Sequence, residues 1–118
     1  MEIRSFKDLT VWQKSFLLTK DIYILTKKLP KTEQFGLISQ IQRCAVSIPS
    51  NIAEGNQRHN RREYAQFVGI AQGSSAELET QLLLIQDIYK INVSNELSCL
   101  TEVQKMLKSL GHKLKTST

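Results

Sequence analysis

The segment from Asn60 to Ile91 most limits what this chain can fold into. Tyr64, Ala71, Leu78 and Ile85 recur every seven residues, with Phe67, Ser74, Leu82 and Tyr89 filling the alternate seam, and no proline interrupts them. Such a repeat holds one stripe of an α-helix against a partner over many turns, whereas a strand alternates every second residue. About thirty helical residues extend roughly 45 Å. A helix of that length buries its stripe only against other long helices. Asn60 followed three residues later by Glu63 resembles a capping box and marks its start.

The rest of the chain supplies those partners. Only five Gly and two Pro punctuate 118 residues, too few for the turns of a multi-stranded sheet. The first predicted helix covers about 8–29, capped by Asp8 or Thr10 and ended by Pro30. A second covers about 33–54, with Thr32 as cap. Its Ile38, Ile41, Ala45, Ile48 and Ile52 share one stripe, which continues past Pro49, and Gly55 is read as the breaker. The third covers about 61–91, and its small residues Gly69, Gly73, Ser74 and Ser75 suggest close approach of a neighbour. The fourth starts at Ser94 or Asn95 and covers about 95–115, with Leu100, Val103, Leu107, Leu110 and Leu114 on one stripe. Short connections make sequential helices antiparallel. The expected fold is all-α, a single domain over 1–118 with an up-down-up-down four-helix bundle.

Composition places that domain. A 13.5 kDa chain is the size of one domain and can bury one core without disulfides or metal. Cys44 and Cys99 stand far apart without metal-ligand spacing, and no disulfide framework is indicated. The first residues lack the apolar core of a signal peptide, and no apolar run approaches the roughly 20 residues of a membrane span. A cytoplasmic protein with no membrane partner is expected.

Two helices carry more apolar surface than a bundle core uses. The first has Leu9, Trp12, Phe16 and Tyr23 beside Val11, Leu18, Ile22, Leu25 and Leu29. The third adds Ile70, Leu83, Leu84 and Ile91 to its seam. A second stripe on a soluble helix widens the core or binds something else. Self-association through helices 1 and 3 is the preferred reading.

Helix 2 also carries a polar stripe, Gln40, Arg43, Ser47, Ser50 or Asn51, and Glu54, directly beside its isoleucines. Short hydrogen-bonding side chains in that place suit a partly buried structural network. With the following turn centred near residue 58, Arg43 falls within a turn of Glu77, and an ion pair between them is expected.

Sixteen Lys and Arg against eleven Asp and Glu leave a formal charge of +5. The excess is unevenly placed. Arg58, Arg61 and Arg62 crowd the turn before the third helix, and Lys105, Lys108, Lys113 and Lys115 follow Val103 with no acid between them. An antiparallel bundle returns the end of helix 4 to the pole of residues 58–62. These seven cations are the candidate contacts to nucleic-acid phosphates. With few aromatic side chains free to stack on bases, weak sequence selectivity is expected. Catalytic signatures are missing: no phosphate-binding glycine loop, no HExxH helix, no Ser-His arrangement, and neither His59 nor His112 has a ligand partner at metal spacing. No catalytic residue, metal or cofactor is expected.

The segments FKDLTVWQKS (6–15), YILTKKLPKTEQFGLISQIQRCAVSIPSNIAEGNQR (23–58) and FVGIAQGSSAELETQL (67–82) carry a family resemblance. The chain resembles the four-helix-bundle proteins encoded by intervening sequences in bacterial large-subunit ribosomal RNA genes. A related branch is the accessory variability protein of diversity-generating retroelements. The resemblance implies an antiparallel bundle, a homo-oligomer with a homopentamer as the best guess, nucleic-acid binding, and in the retroelement branch a reverse transcriptase as partner. The family's motif residues map onto Gln40, Arg43, Ser47, Asn51, Glu54, Gly55, Gly73 and Glu77. The leading expectation is thus a non-enzymatic, oligomeric, RNA- or DNA-binding bundle. The alternative is a protein–protein adaptor that binds no nucleic acid itself.

Overall fold

The computed structural model describes residues 5–116. A 3₁₀ turn at Phe6–Asp8 leads into α1 (Thr10–Thr26), and a second at Lys31–Glu33 runs through a π-helical turn at Gln34–Ile38 into α2 (Ser39–Asn56). The long α3 (Arg61–Tyr89) and α4 (Ser94–Thr116) complete an all-α four-helix bundle. Contacts pair Glu33 with Tyr89, Ser47 with Ser74 and Gly55 with Phe67, so α2 and α3 run in opposite directions. Gln104 with Ser75 and Gly111 with Val68 show the same for α3 and α4.

The apolar stripes do what their spacing implies. Leu18, Ile22 and Leu25 of α1, Ile41, Ile48 and Ile52 of α2, Leu78, Leu82 and Ile85 of α3, and Leu100, Val103 and Leu107 of α4 are buried in one core. α1 and α3 each pack against α2 and α4, so they stand diagonally opposed. Truncating a fully buried leucine here to alanine costs about 2–5 kcal/mol.

The ends of the helices depart from expectation for identifiable reasons. Asp8 does not cap α1. Its carboxylate accepts from the Ser5 amide (3.3 Å) while the Ser5 hydroxyl accepts from the Lys7 amide (3.0 Å), closing a box on the preceding 3₁₀ turn. α1 stops at Thr26 because the next three amides bond to carbonyls three residues back. Glu33, not Thr32, serves the start of the second helical run. One carboxylate oxygen accepts from the Leu37 amide (3.3 Å) and the other from the Tyr89 hydroxyl. Gly36, with φ −112° and ψ −112°, absorbs the irregularity between them.

Gly55 is not a breaker. It lies inside α2, which continues to Asn56, and it is buried. A Cβ there would lie 2.7 Å from the Phe67 Cβ, so the absent side chain is what lets α2 and α3 close on each other. Gly69 and Gly73 do the opposite of what their small size suggests. A Cβ on either meets nothing within 4 Å, so both face open space.

Pro49 sits in an unbroken α2. Its missing N–H leaves the Ala45 carbonyl without its helical donor. The Thr19 hydroxyl of α1 lies 3.1 Å from that carbonyl and 2.8 Å from the Ser15 carbonyl, sharing its single proton between them.

Candidate nucleic-acid interface

The basic end of the bundle is assembled by the α2–α3 turn. The Asn60 side chain accepts from the Glu63 amide (2.8 Å) and its Nδ2 donates to the Glu63 carboxylate (2.8 Å), which starts α3 at Arg61 and consumes the one nearby acid on that turn. Arg61 then donates to the Lys113 carbonyl at 2.9 Å. That bond ties the first turn of α3 to the last turns of α4.

Beside it opens a cleft of about 690 Å³ lined by Arg61, Arg62, Ala65, Gln66 and Gly69 of α3 and Leu114 and Lys115 of α4. Among the described residues, no carboxylate lines it. Of the seven cations expected to meet phosphate, Arg61, Arg62 and Lys115 are brought together here, with Lys113 held adjacent through its carbonyl. Arg58 is on the other side of the turn. Its guanidinium donates to Glu54 (2.7 Å) and lies 4.7 Å over the Phe67 ring, so it already has an acidic and an aromatic partner within the chain. Lys105 and Lys108 are exposed but do not line the cleft; they stand roughly 15 and 10 Å back along α4 from Lys115.

The polar stripe of α2 divides. Ser47 lies 2.7 Å from the Ser74 hydroxyl and 2.7 Å from the Cys44 carbonyl, and Asn51 donates to the Ser47 carbonyl at 2.7 Å. The Cys44 thiol, missed in the sequence, joins them by donating to the Ser74 carbonyl at 3.0 Å. Burial, assisted by the negative charge of Glu77, pushes that thiol up to about 12. These groups hold α2 to α3.

Gln40, Arg43 and Glu77 do not join the network. All three are exposed on the rim of a cleft of about 360 Å³ shared with Cys44, Ser47 and Ser74. Arg43 and Glu77 form no ion pair; the ion pairs among the described residues are Lys14–Glu102 and Arg58–Glu54. Glu77 instead accepts from Gln81 within its own helix (3.2 Å). At an exposed site, ordering two long side chains costs about what their attraction returns. Glu54 likewise serves Arg58 rather than the α2–α3 seam.

Of the surplus apolar residues expected from the sequence, Leu9, Trp12 and Ile91 are half-buried against the core, and the others remain uncovered in the single chain. Phe16, Leu17, Tyr23 and Ile24 of α1 and Ile70, Leu83, Leu84 and Ile88 of α3 are each more than two-fifths exposed. Leu17, Ile24 and Ile88 escaped the sequence reading, although Leu17 and Ile24 stand seven apart. No helix among the described residues is long and apolar enough to cross a membrane.

This architecture defines the class, an all-α four-helix bundle. The model of the 23S rRNA-intervening sequence protein family matches residues 7–112, and the chain belongs to that family. The match spans part or all of every helix described above. No curated protein matches the chain.

Proposed function

We propose that this protein is a non-enzymatic, homo-oligomeric bundle that holds RNA or DNA by its phosphates with little sequence selectivity. The observation that carries the reading is the cleft where Arg61, Arg62 and Lys115 converge without an acid among its lining residues. Arg forks match phosphate oxygens, and although Arg61 spends one donor on the Lys113 carbonyl, neither Arg62 nor Lys115 has an ion-pair partner among the described residues. Lys105 and Lys108 stand exposed farther back along α4, while Lys113 lines a separate cleft against α1 and Arg58 is paired with Glu54. Membership in a family named for ribosomal RNA intervening sequences supports an RNA partner and a cytoplasmic setting.

The oligomer rests on the two uncovered apolar rows. They lie on diagonal helices, hence on opposite sides of the bundle, so one row cannot meet its own copy across a two-fold axis while also covering the other. Joining the α1 row of one copy to the α3 row of the next is a head-to-tail contact, the kind that forms a ring when its rotation closes. Five copies is the number the family resemblance suggests.

Binding of a labelled RNA, followed by fluorescence anisotropy across salt concentrations, tests the reading. Three to seven phosphate contacts give a log–log slope of roughly −2 to −6. A flat salt response overturns phosphate binding and leaves the adaptor reading, in which the same surfaces serve a protein such as a reverse transcriptase. Sedimentation of Ile24→Glu tests the ring: single bundles are expected, and an unchanged oligomer overturns the α1 interface.

A further inference from the structure

The cleft at the basic end holds more than a phosphate needs. Phosphate alone calls for cations on a surface. Here the same cleft of about 690 Å³ that gathers the cations is also lined by small and apolar residues, Ala65, Gly69 and Leu114, which we take as its floor. That volume lies within the range of small-ligand sites, roughly 300–1,000 Å³. The floor is open at its centre, because a Cβ at Gly69 would meet nothing within 4 Å. A flat ring can therefore reach the helix backbone there. The Gln66 side chain, with one amide donor group and one acceptor, stands on the same wall.

Anionic head, flat apolar body and polar edge describe a nucleotide whose base is not paired. A base-paired duplex offers the cleft its phosphates, but its bases are stacked and turned inward. Single-stranded nucleic acid is bound by just this combination of a cationic track and a surface for splayed bases. We propose that the α3–α4 cleft is a subsite for one unpaired nucleotide, its phosphate on Arg61, Arg62 and Lys115 and its base against Ala65, Gly69 and Leu114. The inference rests on the proposed phosphate binding and adds to it. The floor has no aromatic ring and a single amide, so it senses that a base is present and discriminates little among the four.

The test compares three probes of equal length and charge on the full chain: a single-stranded oligonucleotide, the same strand with abasic positions, and a duplex. The base-bearing strand is expected to bind about five- to tenfold tighter than the abasic one, less than aromatic stacking achieves. Gly69→Leu fills the cleft from a position with free space around it, and leucine is the better helix former. It should erase the preference while leaving abasic affinity within about twofold, since the phosphate contacts remain. Arg62→Ala should weaken all three probes alike. Equal binding of base-bearing and abasic strands, still salt-dependent, overturns the subsite and leaves phosphate binding standing. Loss of binding to every probe by the wild-type protein overturns both. A preference that survives in Gly69→Leu overturns the placement of the base. Should that variant fail to fold by circular dichroism, competition on the wild-type protein decides: a mononucleotide must displace the strand at lower concentration than inorganic phosphate, and equal displacement sinks the proposal.

Discussion

The two ends of this bundle use polar chemistry in opposite ways. At the end formed by the α1–α2 connection and the close of α3, exposed Lys27, Lys28, Lys31 and Lys90 also gather, but the acid and amide groups beside them are spent on the fold. Glu33 answers both the Leu37 amide and the Tyr89 hydroxyl, Lys90 takes a left-handed conformation (φ 56°) and its amide returns to Gln86, and Asn92 accepts from the Ser94 amide. At the other end, Arg61, Arg62 and Lys115 converge on open space with no carboxylate between them. The long axis of 48 Å keeps these ends far beyond a Debye length of about 8 Å, so neither end's charges screen the other's. Charges that close on one another report on architecture; charges gathered and left unanswered report on a partner.

Several substitutions probe that contrast. The largest effect is expected from Arg61→Ala/Arg62→Ala/Lys115→Ala, which should reduce RNA affinity on the order of a hundredfold and flatten the salt dependence by two to three contacts. Thermal unfolding of Arg62→Ala/Lys115→Ala should move little, because exposed substitutions stay within about 0.5 kcal/mol each, whereas Arg61→Ala also loses the bond to the Lys113 carbonyl, about 0.5–1.5 kcal/mol; a marked loss of stability in the double variant would mean the cations hold the fold instead. Next in size is Gly55→Ala, whose new Cβ must displace Phe67 or Tyr64. Overpacking of this kind costs about 1–3 kcal/mol, reduced by the gain in helix propensity. Its counterpart Gly69→Ala meets nothing and should stabilise by up to about 1 kcal/mol. Paired denaturation curves for the two glycine variants read both, and a shared sign would break the distinction. The smallest effect is Tyr89→Phe at the closed end. The bond to Glu33, with burial, holds the Tyr89 phenol above its usual value. A raised folded value means its contribution is fully present below about pH 10, the usual tyrosine value, and is lost as pH rises through the folded one. Wild type should therefore exceed the phenylalanine variant in stability at neutral pH, and the gap should close in alkali.

How much of this was readable in the residues depended on whether a feature was local. The four helices, the Asn60–Glu63 start of α3 and the antiparallel order follow from spacing and from few breakers. Their failures were ones of context. A glycine near a helix end reads as a stop, but Gly55 answers to Phe67, twelve residues away, which no local rule contains. The π-helical turn at Gln34–Ile38 depends on Tyr89, more than fifty residues on. The expected Arg43–Glu77 pair came from a turn centred near 58; the Ser47–Ser74 contact puts the centre nearer 60 or 61. Even with the register corrected, exposure leaves the two apart. The basic end was legible because chain topology alone returns α4 to the α2–α3 turn. The cleft there was not, since Ala65, Gly69 and Leu114 come together only when two helices are set side by side.

The hydroxyl of Thr19 under Pro49 carries a consequence for how the chain assembles. Until α1 docks, the Ala45 carbonyl has no donor inside its own helix, and water must serve it. The middle of α2 therefore becomes dry only in company with α1, so these two segments should gain protection from amide exchange together rather than one after the other.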